Sequence, residues 1–213
     1  MLRVCRVLLW AAATAGCWIL PAPASALINL ELRPANQVVN VGDFADLELY
    51  AVSDNGSDQL MSAADILFTW DPTYLDLVGL DQTGATATLT SFFPQVDPWG
   101  GINNGNPPTS GTGLYSVSAF PGPANAIVAT PAGTLLTTFL IDAIAPTPNT
   151  VFSLVMTVGG LSQTTVYDGT TPNTDVTGTL GVAHVTILPE PGTLVFGLLG
   201  AAALSVRRRA RRS

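Results

Sequence analysis

Apolar and polar residues alternate with a period of two through much of the chain, and no segment between residues 27 and 188 carries a helical repeat. Ile28-Asn29-Leu30-Glu31-Leu32 is one such run. In Ala45–Ser53, Ala45, Leu47, Leu49 and Ala51 alternate with Asp46, Glu48 and Tyr50. A period of two places alternate side chains on opposite faces of a strand, so each run reads as a half-buried strand. Further strands are expected at Ala64–Trp70, Tyr74–Asp81, Ala85–Phe93, Gly113–Phe120, Gly133–Ala145, Thr150–Val158 and Asp175–Leu188. Many short strands broken by regular turn residues predict an all-β, antiparallel β-sandwich. Pro34-Ala35-Asn36-Gln37 is expected to turn the chain after the first strand. At Asp71-Pro72, Pro72 cannot donate to a ladder and fixes its own φ, so the strand must stop at Trp70.

The two ends of the chain have a different character. Arg3 and Arg6, the apolar stretch Val7–Leu20 and Ala24-Ser25-Ala26 have the three parts of a secretory signal peptide. Cleavage after Ala26 is expected, with Leu27 as the first mature residue. Ala15-Gly16-Cys17 matches part of a lipoprotein signal, but Thr14 stands where a leucine is expected. At the other end, Pro189-Glu190-Pro191-Gly192 precedes an uncharged run, Thr193–Val206, and then Arg207, Arg208, Arg209, Arg211 and Arg212. Fourteen residues make a helix of roughly 21 Å, short of a hydrocarbon core of about 30 Å. The run can enter a bilayer but spans it poorly. The arginines stay on the cytoplasmic side and extend the usable span by snorkelling.

This tripartite tail resembles the PEP-CTERM sorting signal of Gram-negative bacteria that make exopolysaccharide. The resemblance implies that an exosortase, a membrane sorting enzyme, reads Pro189, Glu190 and Pro191, with the five arginines as the cytoplasmic stop. It implies an exported protein, first anchored in the inner membrane and then placed on the cell surface or in the extracellular matrix. Three segments are therefore expected: a signal peptide (1–26), a β-sandwich domain (27–188) and a sorting signal (189–213), with a signal helix and a short transmembrane helix flanking the sandwich.

Removing both ends changes the chemistry. Leu27–Leu188 holds 162 residues, enough for one domain with a real core. Its only basic side chain besides His184 is Arg33, against fourteen carboxylates, a formal charge of −13 where the full chain has −7. Such a surface repels nucleic acid and anionic headgroups. Cys5 and Cys17 both lie in the signal peptide, so the mature domain has no disulfide, thiolate nucleophile or cysteine metal site. With His184 the only histidine, no Ser-His-Asp arrangement can be built around another base. His184 reads as a surface strand residue, and the aspartates fall mainly in loops and on outward strand positions. The chain is not expected to be an enzyme.

Three binding signals remain. Asp54-Asn55-Gly56-Ser57-Asp58 groups oxygen ligands of the kind Ca2+ takes, as Asp168-Gly169 with Asp175 does, but without the EF-hand spacing. No cofactor or metal site is assigned on that basis. Pro94–Thr112 is a long loop rich in Pro, Gly and Asn, with Trp99 inside it. Trp99 and Tyr115, with Phe92 and Phe93 nearby, are candidate ligand contacts, a stacking platform for sugars. Finally, Val39-Asn40-Val41-Gly42-Asp43, then Asp65–Leu75 with its Asp-Pro corner, then Gly133–Phe139, occur in an order that resembles the cohesin and carbohydrate-binding-module superfamily. That resemblance covers about Leu27–Leu188 and implies a jelly-roll sandwich used for binding. In cellulosomes cohesins bind dockerins; no dockerin-type calcium repeat occurs here. The sequence reading is an exported, exosortase-sorted surface or biofilm-matrix protein whose sandwich serves adhesion or binding, to extracellular polysaccharide or surface proteins. The alternative is a carbohydrate-binding module or a cohesin-type docking module.

Overall fold

The computed structural model describes residues 26–93, 111–119, 125–158, 162–171 and 173–190. The expected signal peptide up to Ser25, the tail from Pro191 onward, and Trp99 lie outside the described residues. Within them the fold is all-β, two sheets packed face to face with no α-helix. In chain order the strands are β1 (Ile28–Arg33), β2 (Asn36–Asn40), β3 (Leu47–Ser53), β4 (Gln59–Trp70) and β5 (Leu75–Asp81). Next come β6 (Leu89–Phe93), β7 (Thr112–Ser118), β8 (Ile127–Ala129), β9 (Thr134–Ala143) and β10 (Thr147–Val155). The last are β11 (Thr157–Val158), β12 (Ser162–Gln163), β13 (Thr165–Asp168), β14 (Thr177–Leu180) and β15 (Val182–Leu188).

One sheet runs β14-β1-β3-β9-β5. The other runs β2-β15-β10-β4-β7-β6, with β8 and β13 added along the long β4. β11 and β12 form a separate hairpin, and the residue after it ties it to the second sheet. Thr164 is fully buried; its hydroxyl receives the Leu67 N–H at 2.9 Å and donates to the Val155 carbonyl at 2.5 Å. Leu67, Leu114 and Val158 pack there as a small cluster of their own.

The main core lies between the sheets. β1 and β3 turn Leu30, Leu32, Leu47, Leu49 and Ala51 inward, as their alternation predicts. Phe68, Phe139 and Phe152 meet at its centre with ring centroids 4.8–5.4 Å apart, distances at which aromatic pairs add to simple area burial. Tyr115 also lies here, wholly buried.

The pairing is antiparallel except at one margin, where the expected pattern needs a correction. Asn36 and Gln37 do not turn the chain. The chain keeps its direction and changes sheet within Pro34 and Ala35, so β2 continues β1 in the opposite sheet. The final strand does the same, as β14 in one sheet and β15 in the other. The first and last strands therefore lie side by side and run the same way, β1 parallel to β14 and β2 parallel to β15. Gly181 marks the last strand's crossing. Its N–H donates to the Leu30 carbonyl at 2.7 Å and its carbonyl accepts from Leu154 N–H at 3.0 Å. A Cβ there would stand 2.7 Å from the Leu32 nitrogen, so only glycine allows the two backbones to approach this closely.

Candidate docking face

The outer face of the five-stranded sheet collects charged side chains from four strands. Register sets Glu31 beside Tyr50, with Leu135 one strand further on, and Arg33 beside Glu48, with Thr138 and Asp81 on the next two strands of that row. Asp76 and Asp142 face one another across β5 and β9. Alternation pushes these residues outward because Leu47, Leu49, Phe139 and Ile141 between them are wholly buried.

Arg33 is committed within the face. Its Nη2 and Nε donate to Glu31 Oε2 at 2.7 and 3.1 Å, and its Nη1 donates to the Ala132 carbonyl at 2.9 Å. The guanidinium lies 4.3 Å from the centre of the Tyr50 ring, within cation–π range. Tyr50 donates its hydroxyl to Glu48 Oε2 at 3.0 Å, and that bond raises the phenol's pKa. Asp46, Asp76, Asp81 and Asp142 have no basic side chain beside them, because the span holds no other arginine or lysine. Asp46 is driven above the usual carboxylate range by partial burial, with Asp142 and Asp81 adding repulsion, and its Oδ1 has no hydrogen-bond partner. Asp81 is held below that range by its bonds from Thr83, whose N–H donates to Oδ1 at 2.8 Å. Among the described residues no three carboxylates or histidines converge on one metal position. The negative charge is spread over a face, which suits a row of separate cationic groups. Alternation makes Asp46 and Glu48 outward neighbours in the sequence; the carboxylates added from β5 and β9 depend on strand order, which the sequence does not carry.

The other sequence-derived candidates fall elsewhere. Tyr115 is not a ligand contact: it points into the core and donates its hydroxyl to the Leu136 carbonyl at 2.7 Å. Burial holds its pKa far above the ordinary phenol value. Phe92 packs partly buried against the main core. His184 is exposed on β15, its Nδ1 3.2 Å from Asn149 Oδ1. The two calcium-like loops do come together, since Asn55, Asp58 and Asp168 line one polar pocket of about 350 Å3. Their other carboxylates serve the backbone: Asp54 Oδ1 accepts from Leu27 N–H at 2.9 Å and Asp175 Oδ1 from Thr177 N–H at 2.9 Å. Of the sorting and cleavage residues, Ala26, Pro189 and Glu190 are described, and the last two are exposed.

A second concavity opens at one side of the sandwich, where the chain before β6 crosses between sheets. Its volume is about 880 Å3, and among the described residues its lining carries no charge. Thr86, Thr88, Ser118, Asn125 and Thr134 supply hydroxyl and amide groups around an apolar floor that includes Ile127.

No family model matches the chain, and no curated protein does. Solved structures match its fold. The cohesin module of a family 33 glycoside hydrolase from Clostridium perfringens ATCC13124 is 19% identical, with 78% of this chain and 100% of that chain aligned at a TM-score of 0.51. The seventh ScaB type I cohesin from Pseudobacteroides cellulosolvens is 11% identical, covering 77% and 94%, at a TM-score of 0.50. The fold is that of a cohesin-like β-sandwich.

Proposed function

We propose that this chain is an exported, non-catalytic docking module, carried to the cell surface or exopolysaccharide matrix of a Gram-negative bacterium. The observation that carries the docking role is the likeness of the fold to a cohesin module over that module's whole length, together with an acidic sheet face on which Arg33 is the only arginine or lysine of the span. Flat sheet faces bind other proteins through spread contacts rather than a deep pocket, and charge across such a face governs encounter rate and partner choice. The signal peptide supplies export, with cleavage after Ala26. Pro189, Glu190 and Pro191 are the strip an exosortase grips, and Arg207–Arg212 holds the tail's far end in the cytoplasm until sorting. A dockerin is one class of protein partner for such a module.

The test uses tagged full chain exported in its host, with recovery of bound surface and matrix proteins. Glu48→Lys with Asp142→Lys is expected to abolish specific recovery while leaving the fold intact. Recovery unchanged by that pair rules out this face. Mass measurement of the recovered chain reads both processing steps. A neutral-polysaccharide reading also has a specific support, the uncharged hydroxyl-lined cleft. Binding on a glycan array that Ser118→Trp blocks and Glu48→Lys leaves alone would assign the function to the cleft.

A further inference from the structure

The chain enters and leaves the sandwich at opposite ends. Leu27 sits at the end that carries Asp54–Asp58, tied to Asp54 through both Leu27 N–H and the Leu27 carbonyl. Leu188 ends the last strand at the other end, where backbone bonds gather three connections. Val41 N–H donates to the Leu188 carbonyl at 3.0 Å, Gly42 N–H to Ala143 at 2.8 Å and Ile144 N–H to Tyr74 at 2.9 Å.

This exit end has apolar residues facing outward. Val38 is 65% exposed, Phe44 60%, Ile144 47% and Leu188 45%. Phe44 is held there by a bridge to Asp142, next to the buried Ala143. A shallow apolar groove of about 390 Å3 continues the surface along Pro146, Pro148 and Leu188. Single exposed apolar residues are ordinary, but a group of them at one end marks an interaction surface.

The position of the tail says what that surface meets. β15 is laddered to β2 as far as Leu188, so the domain has no slack before Pro189. From Leu188 to the first residue of the apolar run, Thr193, is five residues, at most ~18 Å when fully extended. A run that enters a bilayer therefore holds this end, and no other, within that distance of the hydrocarbon. We infer that Val38, Phe44, Ile144 and Leu188 form a membrane-contact rim that seats the domain on the bilayer interface before the tail is cut. The inference rests on reading Thr193–Val206 as membrane-entering. Asp43 precedes Phe44, Glu190 follows Leu188 by two residues, and Asp71 accepts from Tyr74, whose carbonyl in turn holds Ile144, so the surface suits zwitterionic headgroups rather than anionic ones. Seating the rim brings Pro189 and Glu190, which follow Leu188 directly, to the lipid interface and in reach of an enzyme embedded there.

The absence of cysteine after residue 17 makes a direct test clean. The processed chain, Leu27–Ser213, which has no cysteine of its own, is placed in phosphatidylcholine nanodiscs, with a polarity-sensitive fluorophore at one introduced cysteine. The sites are Phe44→Cys, Ile144→Cys, Asp58→Cys at the far end and Leu199→Cys in the apolar run. Blue-shifted emission and several-fold slower iodide quenching at 44 and 144, but not at 58, with 199 in lipid, is the expected result. Label 199 in lipid with 44 and 144 quenched as freely as 58 overturns the rim and spares the tail reading. Label 199 in water removes the tail reading, and the rim with it. Protection at 44 that forms without lipid and rises with protein concentration assigns the surface to a second copy and also overturns it.

Discussion

Tyr115→Phe tests a buried polar bond that crosses the core from one sheet to the other. β9 has an irregularity at Leu136: β3 pairs Leu49 with Thr137 and Tyr50 with Leu135, and the ladder to β5 begins only at Thr138. Leu136 thus has no partner in either ladder, and its side chain and that of Thr137 are both fully buried. Such a bulge leaves one residue's backbone groups outside the regular pattern. Here the Leu136 carbonyl accepts the Tyr115 hydroxyl from the opposite sheet at 2.7 Å. Removing that hydroxyl leaves a buried acceptor without its donor, a loss of ~1–3 kcal/mol. For a domain of this size each kcal/mol moves Tm by roughly 2–4 °C, so the melting point should fall by roughly 2–12 °C.

Burial raises the Tyr115 pKa above its unfolded value, and the unfolded phenol titrates near ~10. Wild-type stability from this group is therefore complete below that pH and declines above it, as the unfolded state begins to lose a proton that the folded state keeps. Tyr115→Phe lacks that decline, so its deficit should shrink between pH 9 and 11. Urea unfolding of both proteins at pH 7, 9, 10 and 11 measures it, since Tyr50, Tyr74 and Tyr167 are common to both and cancel in the difference. A deficit under ~0.5 kcal/mol at pH 7 would mean that the carbonyl finds another donor. A deficit that stays constant to pH 11 would refute the claim that Tyr115 is held protonated by the core.

Three further outcomes follow from the packing. Gly181→Ala drives a methyl group into the backbone at Leu30–Leu32 and should cost ~1–3 kcal/mol or more by urea titration, the range for overpacking. Thr164→Val keeps shape but strands the Leu67 N–H and the Val155 carbonyl; a loss of about 2 kcal/mol or more is expected, with hydrogen exchange at Leu67 speeding up. Asp46 has a raised pKa in the folded state, so its ionised form works against folding as pH rises through that value, and the folded state is favoured by its proton at lower pH. Asp46→Asn should therefore raise Tm at pH 7 by an amount within the ~1 kcal/mol typical of screened charges, and the gain should vanish below about pH 4, near the unfolded aspartate pKa.

The sequence makes the strands legible where one face is wet. β1 and β3 alternate cleanly, and the Asp71-Pro72 corner ends β4 at Trp70 and restarts the chain at Leu75. β4 extends further back than its pattern suggests, to Gln59, because β8 and β13 flank its first half. Both of those strands escape notice, at three and four residues, too short to show a period. The strand switch at Arg33-Pro34 also escapes, because proline marks a turn equally well. Tyr115 shows the limit for sites: an aromatic near a loop suits a sugar platform, but which face of β7 it takes depends on register against β4 and β6. The docking face is half legible, since Asp46, Glu48 and Tyr50 share one side of β3 by alternation alone, while Asp142 and Asp76 join them only through pairing.

The strand switches also bear on how a tethered domain carries load. A tail attached after Leu188 pulls along β15, whose ladders to β2 and β10 on either side lie parallel to that pull. Force then meets many hydrogen bonds in shear rather than opening them one by one. β15 is continuous through Gly181 with β14, which pairs with β1 in the other sheet, so both sheets share the load. Leu27 and the polar pocket at Asn55, Asp58 and Asp168 stand at the end away from the tail. The five-stranded face runs along the axis between the two ends. A domain seated by its apolar exit end would hold that acidic face perpendicular to the membrane, clear of the lipid and open from the side to a basic partner.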